Sequence, residues 1–229
     1  MIYAVIPCYN AAQTLPELLR QLAPVVANAH TICVSDGSTD HTVQVLSAFP
    51  VHIIARPHNE GKGAALKVGF EYALRQGASA VLTLDSDLQH SPSDAPKLIA
   101  ALEHFDMVIG SRHRAAQFRR SPMPFARQLS NRITSGLLSQ LLHQPILDSQ
   151  CGYRIIRRLC LETILPLCKE TGYMFETEFL IYAVRRGFRI GFVEIETIYA
   201  GEKSYMRYAT ETKNFLKLVW QAWRQQQVA

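Results

Sequence analysis

The sequence has no stretch of about 18 consecutive apolar residues, so a membrane-spanning helix is excluded. It also has no leader pattern. No positive charge precedes the first apolar stretch, and Pro7 interrupts that stretch early, so a cytoplasmic protein is expected. No cysteine pair has C-x-x-C spacing. The five cysteines (Cys8, Cys33, Cys151, Cys160 and Cys168) read as buried thiols in a reducing compartment, not as a zinc site or a disulfide framework. Neither G-x-x-x-x-G-K-[ST] nor a G-x-G-x-x-G after the first strand is present; Pro7-Cys8-Tyr9-Asn10 stands there instead. That argues against P-loop phosphotransfer and against NAD chemistry. Repeats, low-complexity linkers and recognised nucleic-acid motifs are absent too, so 1–229 reads as a single domain without a nucleic-acid partner.

What is present is a core-forming chain. Apolar residues make up 48% and charged residues 19%, and mean hydropathy is +0.00, high for a protein with no spanning helix. The first half alternates strand and helix patterns. Strands are expected at Ile2–Ile6, Thr31–Val34, Val51–Ala55, Ala80–Leu84 and Met107–Gly110. Helices are expected at Thr14–Ala27, Thr42–Phe49, Lys62–Gln76 and Ser93–His104. Such alternation predicts an α/β fold with a mostly parallel sheet flanked by helices, and ligands beyond the carboxyl ends of the strands. The second half suggests a long helix over Phe125–Leu142, strands at Tyr153–Ile156 and Ile190–Ile198, and helices at Phe175–Arg186 and Tyr208–Gln225. Phe125, Leu129, Ile133, Leu137, Leu138 and Leu141 would form one apolar face of the long helix.

Three polar clusters follow predicted strands. In Asp85-Ser86-Asp87-Leu88-Gln89-His90, two carboxylates one residue apart can converge on a hard cation such as magnesium or manganese, with substrate phosphates completing its shell; the plainer reading is a capped turn. In Ser35-Asp36-Gly37-Ser38-Thr39-Asp40, an acid can bond a ribose or base edge, or the cluster can cap the next helix. In Asn59-Glu60-Gly61-Lys62-Gly63, glycines and a lysine open a helix where anions bind well, unless the segment is a solvated turn.

Charge of one sign is missing from a whole segment. From Met107 to Leu147 there is no Asp or Glu, but there are six arginines: Arg112, Arg114, Arg119, Arg120, Arg127 and Arg132. The chain carries 24 basic and 19 acidic residues; without those six the basic count falls to 18, so the positive excess lies here. Arginine suits phosphate. A basic amphipathic segment fits an anionic membrane surface or a lipid phosphate, or a solvated helix packed on the core. The closing helix carries Trp220 and Trp223 with Lys213, Lys217 and Arg224, a membrane-interface composition, although tryptophans also serve as core.

Taken in order, these residues resemble glycosyltransferase family 2, with its GT-A fold. The matching series is Ile6-Pro7-Cys8-Tyr9-Asn10, Asp36-Gly37-Ser38, Asn59-Glu60-Gly61-Lys62-Gly63, Asp85-Ser86-Asp87-Leu88-Gln89-His90, Gly110-Ser111-Arg112, Asp148-Ser149-Gln150-Cys151-Gly152-Tyr153-Arg154 and Phe175-Glu176-Thr177-Glu178. It covers nearly the whole chain. D-x-D-L-Q-H followed by G-S-R is similar to the polyprenyl-phosphate sugar synthases, of which dolichyl-phosphate mannose synthase is the best-known type.

The resemblance implies a nucleotide-sugar-binding half, 1–111, and an acceptor-binding half, 112–229, with membrane-facing C-terminal amphipathic helices. Pro7, Tyr9, Asp36, Lys62 and Asp85 would bind the nucleotide sugar. Asp85, Asp87 and Gln89 would hold Mg2+ or Mn2+. Arg112 and Arg127 would clamp the lipid phosphate, and Asp87, Arg112 and Arg127 would carry catalysis. Asn131 stands where the mannose synthases have a phosphate-contacting serine. Lys203 or Arg207 would replace an arginine that reaches the donor phosphates, because the segment reads Gly201-Glu202-Lys203-Ser204. The implied activity is inverting transfer from a GDP-mannose or UDP-glucose type of donor to a polyprenyl phosphate. The enzyme would sit peripherally on the inner face of the cytoplasmic membrane, with room for a separate membrane-protein partner. Transfer to a sugar hydroxyl of a cell-envelope glycan would need a base, for which Glu176 and Glu178 are candidates. A non-catalytic nucleotide-sugar-binding partner is a further reading. Nucleotidyl transfer is disfavoured because G-x-G-T-R is missing.

Overall fold

The computed structural model describes residues 1–27, 30–112, 125–196, 198 and 208–226. Strands β1 (Ile2–Cys8), β2 (Thr31–Asp36), β3 (His52–Arg56), β4 (Ala80–Thr83), β5 (Met107–Ser111), β6 (Arg154–Arg157) and β7 (Ile190–Glu194) form one seven-stranded sheet, in the order β3-β2-β1-β4-β6-β5-β7. Only β6 runs antiparallel to its neighbours. β1, β2 and β4 are near-continuous apolar runs and are buried throughout most of their length, as parallel strands covered on both faces must be.

The helices are α1 (Leu15–Leu22), α2 (Thr42–Leu46), α3 (Lys62–Arg75), α4 (Ala95–Ala101), α5 (Phe125–Leu142), α6 (Arg158–Ile164), α7 (Phe175–Arg185) and α8 (Tyr208–Gln226). α3 lies directly on β1 and β2. Gly69 permits this: a Cβ there would stand 2.4 Å from the Val5 side chain. The five cysteines are all buried as free thiols. Burial pushes the Cys151 and Cys160 thiols up to about 12, so both behave as small hydrophobes.

Two features of the topology position the site. The strand order reverses between β1 and β4, which opens a crevice beyond their carboxyl ends. Tyr9 and Asp85 leave β1 and β4 at that crevice. Antiparallel β6 then starts at the same edge, where Arg154 pairs with Thr83 of β4 and Ile109 of β5. The preceding segment, Asp148 to Tyr153, is thereby delivered to the mouth of the crevice.

Some elements differ from expectation. α1 ends at Leu22, and turns carry the chain through Val26. β7 stops at Glu194; beyond it Ile195 donates to the Ser111 carbonyl, and Ile198 donates to that of Gln89. α6 was not anticipated. The single apolar face expected for α5 is in fact two faces. Leu138, Leu141 and Leu142 turn to the core, while Leu129, Ile133 and Leu137, four residues apart, point outward. Over its first half the inward side is polar: Gln128, Asn131 and Ser135 are buried.

Candidate active site

The centre of the site is a three-way ion cluster. Lys62 opens α3 immediately after Gly61, whose φ of +105° is a backbone geometry that glycine adopts without strain. The Lys62 Nζ lies 2.6 Å from Asp85 Oδ1 and 2.8 Å from Glu176 Oε2. Gly152 closes one side: a Cβ there would meet both Asp85 carboxylate oxygens at 2.7 and 2.8 Å, and Lys62 Nζ at 2.8 Å. Burial opposes the charge on Lys62, but Asp85 and Glu176 outweigh it and raise the ammonium pKa. Burial likewise works to raise the Asp85 pKa, yet Lys62 and the surrounding positive charge hold it below its ordinary value.

Asp36 sits at the end of β2, directly opposite Arg56 of β3 in the sheet register. Its carboxylate accepts from Arg56 Nη1 at 2.5 Å and from the backbone N–H groups of Glu60 and Gly61, the latter at 2.8 Å. Arg56 also reaches Glu60 Oε2 at 2.6 Å. Asp36 therefore anchors the loop that presents Lys62, and its Gly61 contact is the residue immediately before the ion cluster. Pro7 is buried within β1 opposite Val34, whereas Tyr9 is partly exposed at the mouth. Asn10, with φ +50°, accepts from the Thr39 N–H at 2.8 Å and ties the loops after β1 and β2 together.

The D-x-D turn is held from outside. Thr14 Oγ1 donates to the Ser86 carbonyl at 2.6 Å, the Gln89 N–H donates to Asp87 Oδ1 at 3.1 Å, and Leu88 has φ +60°. Asp85, Asp87 and Gln89 offer oxygen donors only, which fits magnesium or manganese. Among the described residues no three His, Cys, Asp or Glu side chains gather into a cluster of their own. His90 is buried behind the turn, with Nε2 3.6 Å from Cys151 Sγ, and burial lowers its pKa to about 4, so the imidazole is neutral.

Arg112 is the first arginine of the acid-free segment, and its partner is the first acid after that segment. Nε and Nη2 of Arg112 donate to Asp148 at 2.8 and 3.0 Å, a fork on a carboxylate with no solvent exposure. The Asn131 amide donates to the same carboxylate at 2.9 Å, and its oxygen accepts from Ser135. Asn131, expected at a phosphate, is buried and braces Asp148. The sequence signal for the role of Asp148 is its position at the end of the acid-free run. Arg154, also buried, donates to the carbonyls of Ser149, Cys151 and Glu176. It thereby fixes the segment after Asp148 and the start of α7 relative to each other. Arg127 lies on the first turn of α5 with its side chain outside the described part. Lys203 and Arg207, with Arg114, Arg119 and Arg120, lie outside the described residues.

Glu178 is not poised to act as a base. Its Oε2 accepts from the backbone N–H groups of Lys169 and Glu170, both at 2.8 Å. Glu176 is held on Lys62.

The outer faces of α5 and α8 carry large apolar side chains among basic and polar ones. Leu129, Ile133 and Leu137 on α5 are exposed, as are Leu216, Trp220 and Trp223 on α8; the two tryptophans are 53% and 48% exposed. They are therefore not core residues. Arg132, Lys213, Lys217 and Arg224 are exposed on the same helices, and the Arg224 guanidinium lies 4.5 Å from the Trp220 ring centre. No helix among the described residues is long and apolar enough to cross a membrane.

Comparison with known proteins places the chain. The family described as "Glycosyl transferase family 2" matches residues 3–165. A polyprenol monophosphomannose synthase of Mycolicibacterium smegmatis is 32% identical over 81% of this chain and 73% of its own length. An undecaprenyl-phosphate mannosyltransferase of Micrococcus luteus is 30% identical over 82% of this chain and 80% of its own. Among solved structures, the glucosyl-3-phosphoglycerate synthase of Mycobacterium tuberculosis with Mn2+, UDP-glucose and phosphoglyceric acid has a TM-score of 0.75 at 19% identity, over 97% of this chain and 79% of that one. The fold is that of the GT-A glycosyltransferases.

Proposed function

This chain belongs to glycosyltransferase family 2, and from that premise we propose that it transfers a sugar from a nucleotide-diphosphate sugar to a polyprenyl phosphate at a membrane surface, with inversion. The carrying observation is that the two candidate bases are both committed, Glu178 to backbone amides and Glu176 to Lys62. A sugar hydroxyl as acceptor would need such a base. A phosphate monoester, with its second pKa near about 6, is largely a dianionic nucleophile at neutral pH and needs none. By their descriptions one relative is a synthase of polyprenol monophosphomannose and the other an undecaprenyl-phosphate mannosyltransferase, which supports the same acceptor class.

In this reading Asp85, Asp87 and Gln89 hold Mg2+ or Mn2+ against the donor diphosphate, and the cation supplies Lewis-acid stabilisation of the leaving group. Lys62 adds positive charge at the same end of the site. Asp36 keeps the Lys62 loop in place beside the nucleoside. Arg112, fixed by Asp148, and Arg127, on the adjacent helix, orient the acceptor phosphate and offset repulsion between two anionic substrates. Incubation of labelled UDP- and GDP-sugars with a polyprenyl phosphate should yield an acid-labile lipid product. A full donor panel giving no such product sinks the proposal.

The inverted α5 supports the membrane part. Over its first half the buried side is polar while Leu129, Ile133 and Leu137 face out, the reverse of a helix built for water. With the outer face of α8 and its lysines, this matches a peripheral, anionic-lipid surface. Lys213→Glu together with Lys217→Glu should weaken binding to anionic vesicles by roughly 1 kcal/mol for each lysine, more at low salt. Trp220→Glu should weaken it at all salt concentrations. Unchanged co-sedimentation of these variants removes α8 from the membrane surface.

A further inference from the structure

We propose that Glu176 is a positioning residue: it keeps the Lys62 ammonium at the diphosphate end of the site when Asp85 turns from Lys62 to the cation. The proposal rests on the reading of Asp85 as part of the donor-binding turn. It assigns Glu176 a task other than that of a base.

Lys62 carries three N–H donors, and two of them are taken by Asp85 and Glu176. The two acceptors are not equivalent. Asp85 belongs to the turn that offers oxygens to a cation, so its bond to Lys62 must loosen when the donor complex binds. An ammonium held by Asp85 alone would either be released at that moment or compete with the cation for the carboxylate. Glu176 has no such second duty. Its backbone carbonyl is fixed by Arg154 Nη1 at 2.7 Å, its side chain is buried, and Oε2 is 2.8 Å from Nζ.

The other oxygen shows how specialised this placement is. Glu176 Oε1 is buried and has no hydrogen-bond partner among the described residues; Arg154 Nε, 3.9 Å away, is the nearby charge. A buried carboxylate with one oxygen left without a bond is costly to stability. What the arrangement does secure is a fixed negative charge against Lys62, and groups of this kind gather at functional sites.

The test is a double-mutant cycle read by calorimetric titration of UDP and of GDP in the presence of Mn2+, without transfer. Glu176→Gln keeps the shape and removes the charge. It should weaken manganese-dependent diphosphate binding about tenfold to a hundredfold, the range for residues that orient a ligand from behind. Lys62→Met should also weaken it. In the Lys62→Met background, Glu176→Gln should add nothing further, because its only route to the ligand is gone. Glu176→Asp, which keeps the charge one methylene back, should fall between wild type and Glu176→Gln. Wild-type-like binding by Glu176→Gln, or losses that add in the double variant, overturns the proposal. Wild-type protein that binds neither nucleotide with Mn2+ overturns the reading of the site and the proposal with it, and is recognised before any variant is compared.

Discussion

Asp85→Asn is expected to lose sugar transfer by about a hundredfold to a thousandfold, the range for removing one preorganised group that stabilises developing charge. The amide occupies the same volume at the end of β4 but has no charge to offer a cation or to balance Lys62. Lys62 keeps its partner Glu176 at 2.8 Å. The thermal unfolding midpoint should therefore stay within a few degrees of wild type, which separates lost chemistry from lost fold. The loss should persist when donor is saturating, because the missing interaction grows as the diphosphate leaves. Transfer within about threefold of wild type would remove Asp85 from the cation-binding set, along with the mechanism built on it.

The sequence disclosed this centre because its parts lie where strands end. Asp36, Lys62 and Asp85 each follow a β-rich run or open a helical pattern, and parallel sheets place such points along one edge. The first five strands were legible for the same reason: runs such as Ile32-Cys33-Val34 are apolar throughout and are buried on both faces. What stayed hidden depends on contacts between distant segments. The run Arg154–Arg157 reads as a strand, but nothing local says that it inserts antiparallel between β4 and β5. α6, seven residues after an extended Arg157, is too short for periodicity to announce it. α5 misled because apolar residues at helical spacing were counted as one inward face. In the buried polar row Gln128, Asn131 and Ser135, the last two are set by Asp148 and Ser149, which arrive from a later loop.

That same loop changes the meaning of the charge pattern. The segment from Met107 to Leu147 carries six arginines and no acid, which suggests an open basic surface. Its first arginine instead turns inward onto the first acid beyond the segment. Arg112 is thus held still, with two of its nitrogens and its backbone N–H on Asp148. A clamp for an anionic acceptor gains from such fixing, because the ordering cost is met during folding and not during binding.

Asp148→Ala should destabilise the protein by about 3–5 kcal/mol, since it leaves the mostly buried guanidinium of Arg112 without its fully buried counter-charge. For a chain of this size that corresponds to a fall of roughly 6–20 °C in the unfolding midpoint. The pH dependence identifies the cause. Burial works to raise the Asp148 pKa, but the Arg112 charge and the bonds from Arg112 and Asn131 bring it down to about 2, from an ordinary 3.8. A carboxylate whose folded pKa is depressed binds fewer protons in the folded state. Its stabilising contribution is therefore complete above the ordinary value and is lost as pH falls toward the folded one. The shift corresponds to about 2 kcal/mol. The gap in stability between wild type and Asp148→Ala should then be widest at pH 5 to 7 and should narrow by about that amount between pH 4 and pH 2. Urea unfolding at successive pH values measures it. A gap that stays constant down to pH 2 would show that Asp148 acts through packing and not through its charge on Arg112. A variant as stable as wild type at pH 7 would remove the fork from the structural framework of the acceptor side.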